Sequence, residues 1–388
     1  MQSPPGRCYA LVAGEASGDN LGGPLINALA ALDPAAAFCG IAGPRMTAAG
    51  CTAWYPTDAL AVMGLAEILH HLPRLLRVRR DVIARLLAAR PAAFIGIDSP
   101  EFNLRIATDL KARGVPTVQY VSPQVWAWRQ GRVRTIGAAV DLVLCVLPFE
   151  VEFYDAHSVN AVFVGHPLAD RIPLESDRAA ARASLGLPQR ATIVAVLPGS
   201  RAGEVARLGP PFAETVRWLA GRRPELEFVA PMANDAARSL FDRELSTRAA
   251  GVRVHLIEGR AQDALAACDA ALVTSGTATL ETALVNRPMV VAYRVAPLTG
   301  WLLRRLSLVK TRHFSQPNLL AGRELVPEFF QEQVRAELLG PAMLAQLERP
   351  DRADLEAAFR EMHVRLRRNA SERAAEAIVD LVRRKERT

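Results

Sequence analysis

CYALVAGEASGDN, residues 8–20, sets the fold: an unbroken apolar run from Cys8 to Ala13 stops at Gly14 and gives way to polar residues opening a helical pattern. A strand buried on both faces reads as a continuous apolar run, and a strand that ends in a glycine turn and enters a helix is the first unit of an open parallel sheet. The glycines are not spaced GxGxxG, which disfavours a dinucleotide site. The same grammar returns at TIVAVLPGSRAGE, residues 192–204, where a strand again runs into a glycine turn and a helix. Two similar folds in tandem are the expectation.

Working outward, strands are expected at Cys8–Ala13, Ala37–Ile41, Ala93–Ile97, Thr117–Val121, Leu142–Val146 and Val162–Val164. A second set is expected at Thr192–Leu197, Glu227–Ala230, Arg253–Ile257, Ala270–Thr274 and Met289–Ala292. Helical patterns separate them, so the class is α/β with two Rossmann-like parallel sheets. The seam is expected between Pro167 and Pro188, which gives an N-terminal domain at 1–170 and a C-terminal domain at 171–350. A charged, Ala-rich helical tail at 351–388 is expected to cross back onto the first domain. The length of 388 residues fits two cores.

The net charge of +7 suits an anionic partner, a phosphorylated substrate or an acidic membrane surface, and no nucleic-acid motif accompanies it. Five scattered cysteines, Cys8, Cys39, Cys51, Cys145 and Cys268, read as reduced core residues of a cytoplasmic protein. They form no CxxC pair, so neither a structural zinc nor another metal or cofactor is expected. No apolar stretch approaches the roughly 20 residues that span a bilayer, so any membrane contact is peripheral. Nothing in the composition specifies an oligomeric state.

Polar residues collect where strands end, the edge at which open parallel sheets bind ligands. Glu15, Ser17 and Asp19 follow the first strand and can hydrogen-bond sugar hydroxyls, or can serve the turn and helix cap alone. Asp98, in GIDSPE at 96–101, is placed as a general base for a hydroxyl or as the cap of the next helix. Arg201, in LPGSR at 197–201 and followed by Glu204, can meet the charge of a diphosphate leaving group without a metal, together with backbone amides. Ser275, Gly276 and Thr277 open a helix whose amides can hold phosphate, with Glu281 one turn on, placed for ribose hydroxyls. Two stretches, 65–80 and 301–312, mix Leu with Arg as interfacial segments do, although core helices with a solvated Arg face share the pattern.

AGEASGD at 13–19, MGLAE at 63–67, GIDSPEFNL at 96–104, YVSPQVWAWR at 120–129, LPFE at 147–150, FVGHPLAD at 163–170, LPGSR at 197–201, SGTATLE at 275–281 and PNLLAG at 317–322 occur in this order along the chain. Together they resemble the lipid-A-disaccharide synthase family. The resemblance implies a GT-B architecture, two Rossmann-like domains facing a cleft with the nucleotide on the second. It implies an inverting transfer of 2,3-diacylglucosamine from its UDP derivative to 2,3-diacylglucosamine 1-phosphate, giving a β-1,6 linkage and UDP. It makes Asp98 the base, sets Glu15 and Ser17 on the acceptor side, and sets Arg201, Ser275–Thr277 and Glu281 on the UDP side. Asn318 matches a polar position tied to activity. The patch Met63, Leu65, Ile68, Leu69, Leu72, Leu75 and Leu76 matches an acyl-chain or membrane contact at the inner face of the cytoplasmic membrane. The alternative is another GT-B UDP-sugar enzyme, a UDP-N-acetylglucosamine 2-epimerase or a peptidoglycan-precursor glycosyltransferase.

Overall fold

The computed structural model describes residues 7–60, 65–126, 130–295 and 312–387, and within 65–72 the backbone alone. Contacts divide the chain into two units, 1–170 with 366–388, and 171–365.

Among the described residues the first unit holds seven strands: β1 (Cys8–Ala13), β2 (Ala37–Ala42), β3 (Cys51–Pro56), β4 (Ala93–Ile97), β5 (Thr117–Tyr120), β6 (Leu142–Cys145) and β7 (Ala161–Phe163). They pair in the order β3-β2-β1-β4-β5-β6-β7, every pair parallel. The second unit holds β8 (Ile193–Leu197), β9 (Glu227–Met232), β10 (Val254–Glu258), β11 (Ala270–Thr274), β12 (Met289–Tyr293) and β13 (Glu328–Phe330), ordered β10-β9-β8-β11-β12-β13 and again all parallel. In each sheet three strands step outward one way before the chain returns past the first strand and steps the other way. This is the Rossmann order, and it creates a switch point between β1 and β4 and another between β8 and β11.

The central strands carry the continuous apolar runs because both of their faces are covered. Tyr9 to Ala13, Phe94, Ile95 and Ile97 are fully buried in the first sheet, as are Ile193 to Val196 in the second. Helix Leu65–Ala89 turns Val78, Val82 and Leu86 onto the first core at the i, i+4, i+8 spacing of one helix face. Helix Ala202–Ala220 does the same in the second with Val205, Leu208, Phe212 and Val216.

Two strands went unforeseen, β3 and β13, and each lies at the edge of its sheet. An edge strand is covered incompletely, so its sequence lacks the apolar run: only Cys51 of β3 is buried, and β13 is half-buried throughout. Residues 351–365, expected in the tail, cluster with the second unit, and the return to the first begins at Leu366. There helix Ala370–Glu386 packs on helix Ala16–Leu32.

Candidate active site

In the first unit the register sets Ala13 beside Ile97, so the turns after β1 and β4 lie next to each other at the switch point. Gly14 lets them touch: a Cβ there would fall 2.0 Å from Ser99 Oγ and 2.7 Å from Ser99 Cβ. Glu15 and Ser17 are exposed beside this contact, and Asp98 is half-buried within it. Asp98 and Ser99 both adopt left-handed backbone, φ 51° and 41°, and Val121 at the end of the neighbouring β5 has φ 72°. Each such residue is strained, most of all a β-branched one, and such strain gathers at functional sites. Ser99, not Asp98, is the N-cap residue of helix Pro100–Lys111, and its side chain makes no capping hydrogen bond.

Asp19 is not available for a sugar hydroxyl. It is buried, and its two carboxylate oxygens accept the amides of Arg45 and Met46, both at 2.9 Å, so it caps the short helix Pro44–Ala48. Glu150, from the LPFE stretch, is also buried at this edge. Its oxygens accept Trp126 Nε1 at 3.2 Å and the Leu147 amide at 3.0 Å, and burial pushes its carboxyl up to about 7.

In the second unit a cavity of about 490 Å³ opens at the β8/β11 switch point. Arg201, Ser275, Gly276, Thr277 and Glu281 all line it, with Glu204, Met232 and Arg260. Arg201 is exposed at the start of helix Ala202–Ala220. The Ser200 and Arg201 amides are taken by Glu204 Oε2, at 3.0 and 3.3 Å, so of this turn the Arg201 side chain and not these amides faces the cavity as a candidate anion contact. Glu204 reaches them because Gly199, at φ 134°, has no Cβ to meet it. Asn234 Nδ2 also donates to the Ser200 carbonyl at 3.1 Å.

Ser275 is likewise committed within the fold: its amide donates to Ala292 O at 2.9 Å and its hydroxyl to Phe314 O at 3.2 Å. The Thr279 amide in the first turn of helix Thr277–Leu284 donates to Gly276 O at 3.1 Å, and the Thr277 and Ala278 amides open the helix at the cavity. Burial raises the pKa of Glu281, opposed by Arg171. Asn318 does not line this cavity. It is fully buried, donates to Val326 O at 2.8 Å and accepts the Leu325 and Val326 amides at 2.7 and 3.0 Å, which ties helix Gln316–Ala321 to the segment before β13.

Met63 lies outside the described residues, as do residues 301–311 and the side chains of Leu65, Ile68, Leu69 and Leu72. Leu75 and Leu76 are half-buried. Among the described residues no helix is long and apolar enough to cross a membrane, and no cluster of three or more His, Cys, Asp or Glu is placed to hold a metal.

Sequence reasoning missed Asn103 and Gln119, two buried amides that bond to the Asp98 turn. The available signal was a Gln inside a strand buried on every other position, and an Asn on the inward face of a helix. Neither fits an apolar core unless hydrogen-bonded.

The solved structures similar to this chain share its two-sheet build. One is UDP-GlcNAc 2-epimerase from Neisseria meningitidis, at TM-score 0.64 and 11% identity, covering 96% of this chain and 99% of that one. Another is a UDP-glucosyltransferase from Polygonum tinctorium, at TM-score 0.63 and 14% identity, covering 99% and 100%. The protein thus has the two-sheet GT-B fold, and at these identities the likeness speaks for the fold alone.

Sequence comparison separates transferase from epimerase. The model of the lipid-A-disaccharide synthetase family matches residues 9–382, and the chain belongs to that family. It is 54% identical to lipid-A-disaccharide synthase of Alkalilimnicola ehrlichii over 95% of this chain and 97% of the relative. It is also 54% identical to that of Azotobacter vinelandii, over 97% and 98%. The protein is a hexosyltransferase acting on a nucleotide-sugar donor and a sugar acceptor.

Proposed function

We propose that the protein transfers 2,3-diacylglucosamine from its UDP derivative to the 6-hydroxyl of 2,3-diacylglucosamine 1-phosphate. The observation that carries the reading is the carboxylate of Asp98, held in a strained turn at one switch point, together with the Arg201 cavity at the other. Asp98 takes the proton of the attacking hydroxyl as its oxygen bonds to C1 of the donor. The C1–O bond to UDP breaks, and the diphosphate leaves with the electron pair. Arg201 and the amides that open helix Thr277–Leu284 meet its developing charge. Attack from the face opposite the leaving group turns an α-linked donor into a β-1,6 product in one displacement, with no covalent sugar–enzyme intermediate. Glu15 and Ser17 flank the acceptor, and Glu281 accepts from the ribose hydroxyls.

Both substrates are acylated, so the apolar-basic start of helix Leu65–Ala89 and the 301–312 segment contact their chains or the phospholipid at the inner face of the membrane. The mix of Leu with Arg supports this reading. The test is incubation of the purified chain with both acylated substrates. UDP and a tetra-acylated disaccharide 1-phosphate should appear together. Epimerised donor, or UDP released without disaccharide, would overturn the reading.

A further inference from the structure

The strained turn that carries Asp98 has an unusual support. Gln119 Nε2, from the middle of β5, lies 3.0 Å from the Asp98 carbonyl oxygen, 3.4 Å from that of Tyr120 and 3.3 Å from that of Val121. Asn103 Nδ2, from helix Pro100–Lys111, lies 2.9 Å from the same Asp98 oxygen, 3.2 Å from that of Val12 and 3.3 Å from that of Ile97. Both side chains are buried, Gln119 at 1% exposure and Asn103 at 0%. The two amides thus converge on one carbonyl and fill both of its lone-pair directions. Between them they also hold the C-terminal ends of β1, β4 and β5, at Val12, Ile97 and Tyr120, and so span the switch point.

The sequence around them is shaped to this arrangement. A Cβ at Gly96 would come within 2.7 Å of Asn103 Cβ and 3.1 Å of Gln119 Oε1, so glycine is needed on β4 for the amides to fit. Asn103 Oδ1 is buried with no partner. Burying an acceptor unpaired is unfavourable, and it is tolerated here on a residue whose donor half is fully engaged. Three left-handed non-glycine residues, Asp98, Ser99 and Val121, surround the pair, and such backbone persists only where its surroundings over-determine it.

We propose that Asn103 and Gln119 are positioning residues: by pinning the Asp98 carbonyl they hold the left-handed turn that fixes where the Asp98 carboxylate meets the acceptor hydroxyl. The proposal rests on Asp98 as the base. Neither amide touches substrate, and both act through the turn. A misplacement near 1 Å at a catalytic group costs about 10²-fold in rate, so loosening the turn reduces turnover before it reduces binding.

The test is a double-mutant cycle on the full chain. Gln119→Met keeps the side chain's length and removes both donors. It should lower kcat by roughly 10–100-fold, with KM for both substrates and the affinity for UDP unchanged. In an Asp98→Asn background the same change should cost nothing further, because the group it positions is already lost. A loss of equal size in both backgrounds, or a raised KM at constant kcat, would overturn the proposal. Failure of the base assignment is read separately, from the Asp98→Asn single variant keeping the parent's rate. Should Gln119→Met not fold, Asn103→Leu closes the same cycle with the same expected and overturning results.

Discussion

Asp98 and Glu150 are two carboxylates at one edge of the first sheet, and their surroundings give them different work. Asp98, the proposed base, is half-buried at the switch point. Asp98→Asn should lower turnover by about 10²–10⁴-fold, the usual worth of general-base catalysis, and leave UDP affinity as it was. A rate within about tenfold of the parent's at saturating substrate would remove Asp98 from that role. Glu150 is enclosed, and burial favours its neutral form, with a pKa of about 7 against an ordinary 4.5. A carboxyl whose pKa is raised on folding contributes stability that is present below its unfolded pKa and is lost as the pH climbs through the folded one. The window is therefore pH 4.5 to about 7. Between pH 5 and pH 8 the unfolding free energy of Glu150→Gln should gain on the parent's by on the order of 3 kcal/mol. Chemical denaturation at both pH values, followed by a probe placed in the first unit, measures it, and an unchanged difference would mean that Glu150 is ionised throughout.

Helix Leu65–Ala89 shows what an element can and cannot disclose in advance. Val78, Val82 and Leu86 enter the core, Leu75 and Leu76 are half-buried, and Arg74 and Arg77 are exposed. An apolar residue on the core face and one outside it read alike in sequence, because periodicity gives spacing and not the partner of each face. Replacing Leu69, Leu72 and Leu76 with Ser should reduce sedimentation with anionic vesicles and raise KM for acylated substrates, since each methylene withdrawn from water contributes about 0.8 kcal/mol. A folded triple variant that still binds vesicles as the parent does would assign those leucines to the core. The central strands were legible because burial on both faces imposes an apolar run, and the strand ends were legible because glycine and polar residues must follow it. The edge strands β3 and β13 were not, since partial exposure admits Trp54, Tyr55 and Glu328. Of the polar residues that sequence singled out, Asp98 lies at the first switch point and Arg201 and Glu281 line the second unit's cavity, but sequence could not tell them from Asp19 and Asn318. Those two have the same chemistry, spent on backbone groups within the fold.

At the scale of the molecule, the chain leaves the first unit after Asp170 and re-enters it at Leu366, and the two crossings are fastened to each other. The His166 amide donates to Leu366 O at 2.9 Å. Gly165, at φ 100°, makes room, since a Cβ there would come within 2.6 Å of Arg368 Cβ and 2.9 Å of Leu366 O. Asp170 then receives three amides, Arg368 and Asn369 at 2.9 Å and Ala370 at 2.6 Å, and so caps the last helix from 200 residues earlier in the chain. That helix, Ala370–Glu386, has no side-chain cap of its own, because Asn369 sits at φ 55° without one. It buries Ala374, Ile378, Leu381 and Val382 within the unit and packs on helix Ala16–Leu32, which begins beside Glu15 and Ser17. Removing the carboxylate orphans three amides at a helix start, at a cost of about 1–3 kcal/mol. Because the molecule has two units, a single melting temperature would blend them, and hydrogen exchange resolves the effect by segment. Asp170→Ala should speed exchange across 370–386 and lower turnover through the helix that follows Glu15. UDP affinity should hold, since the Arg201 cavity is lined wholly by the second unit. Unchanged exchange in 370–386 would show that the helix is held by its apolar face alone. A loss of UDP affinity would show that the tail reaches the second unit's fold, contrary to the division of contacts.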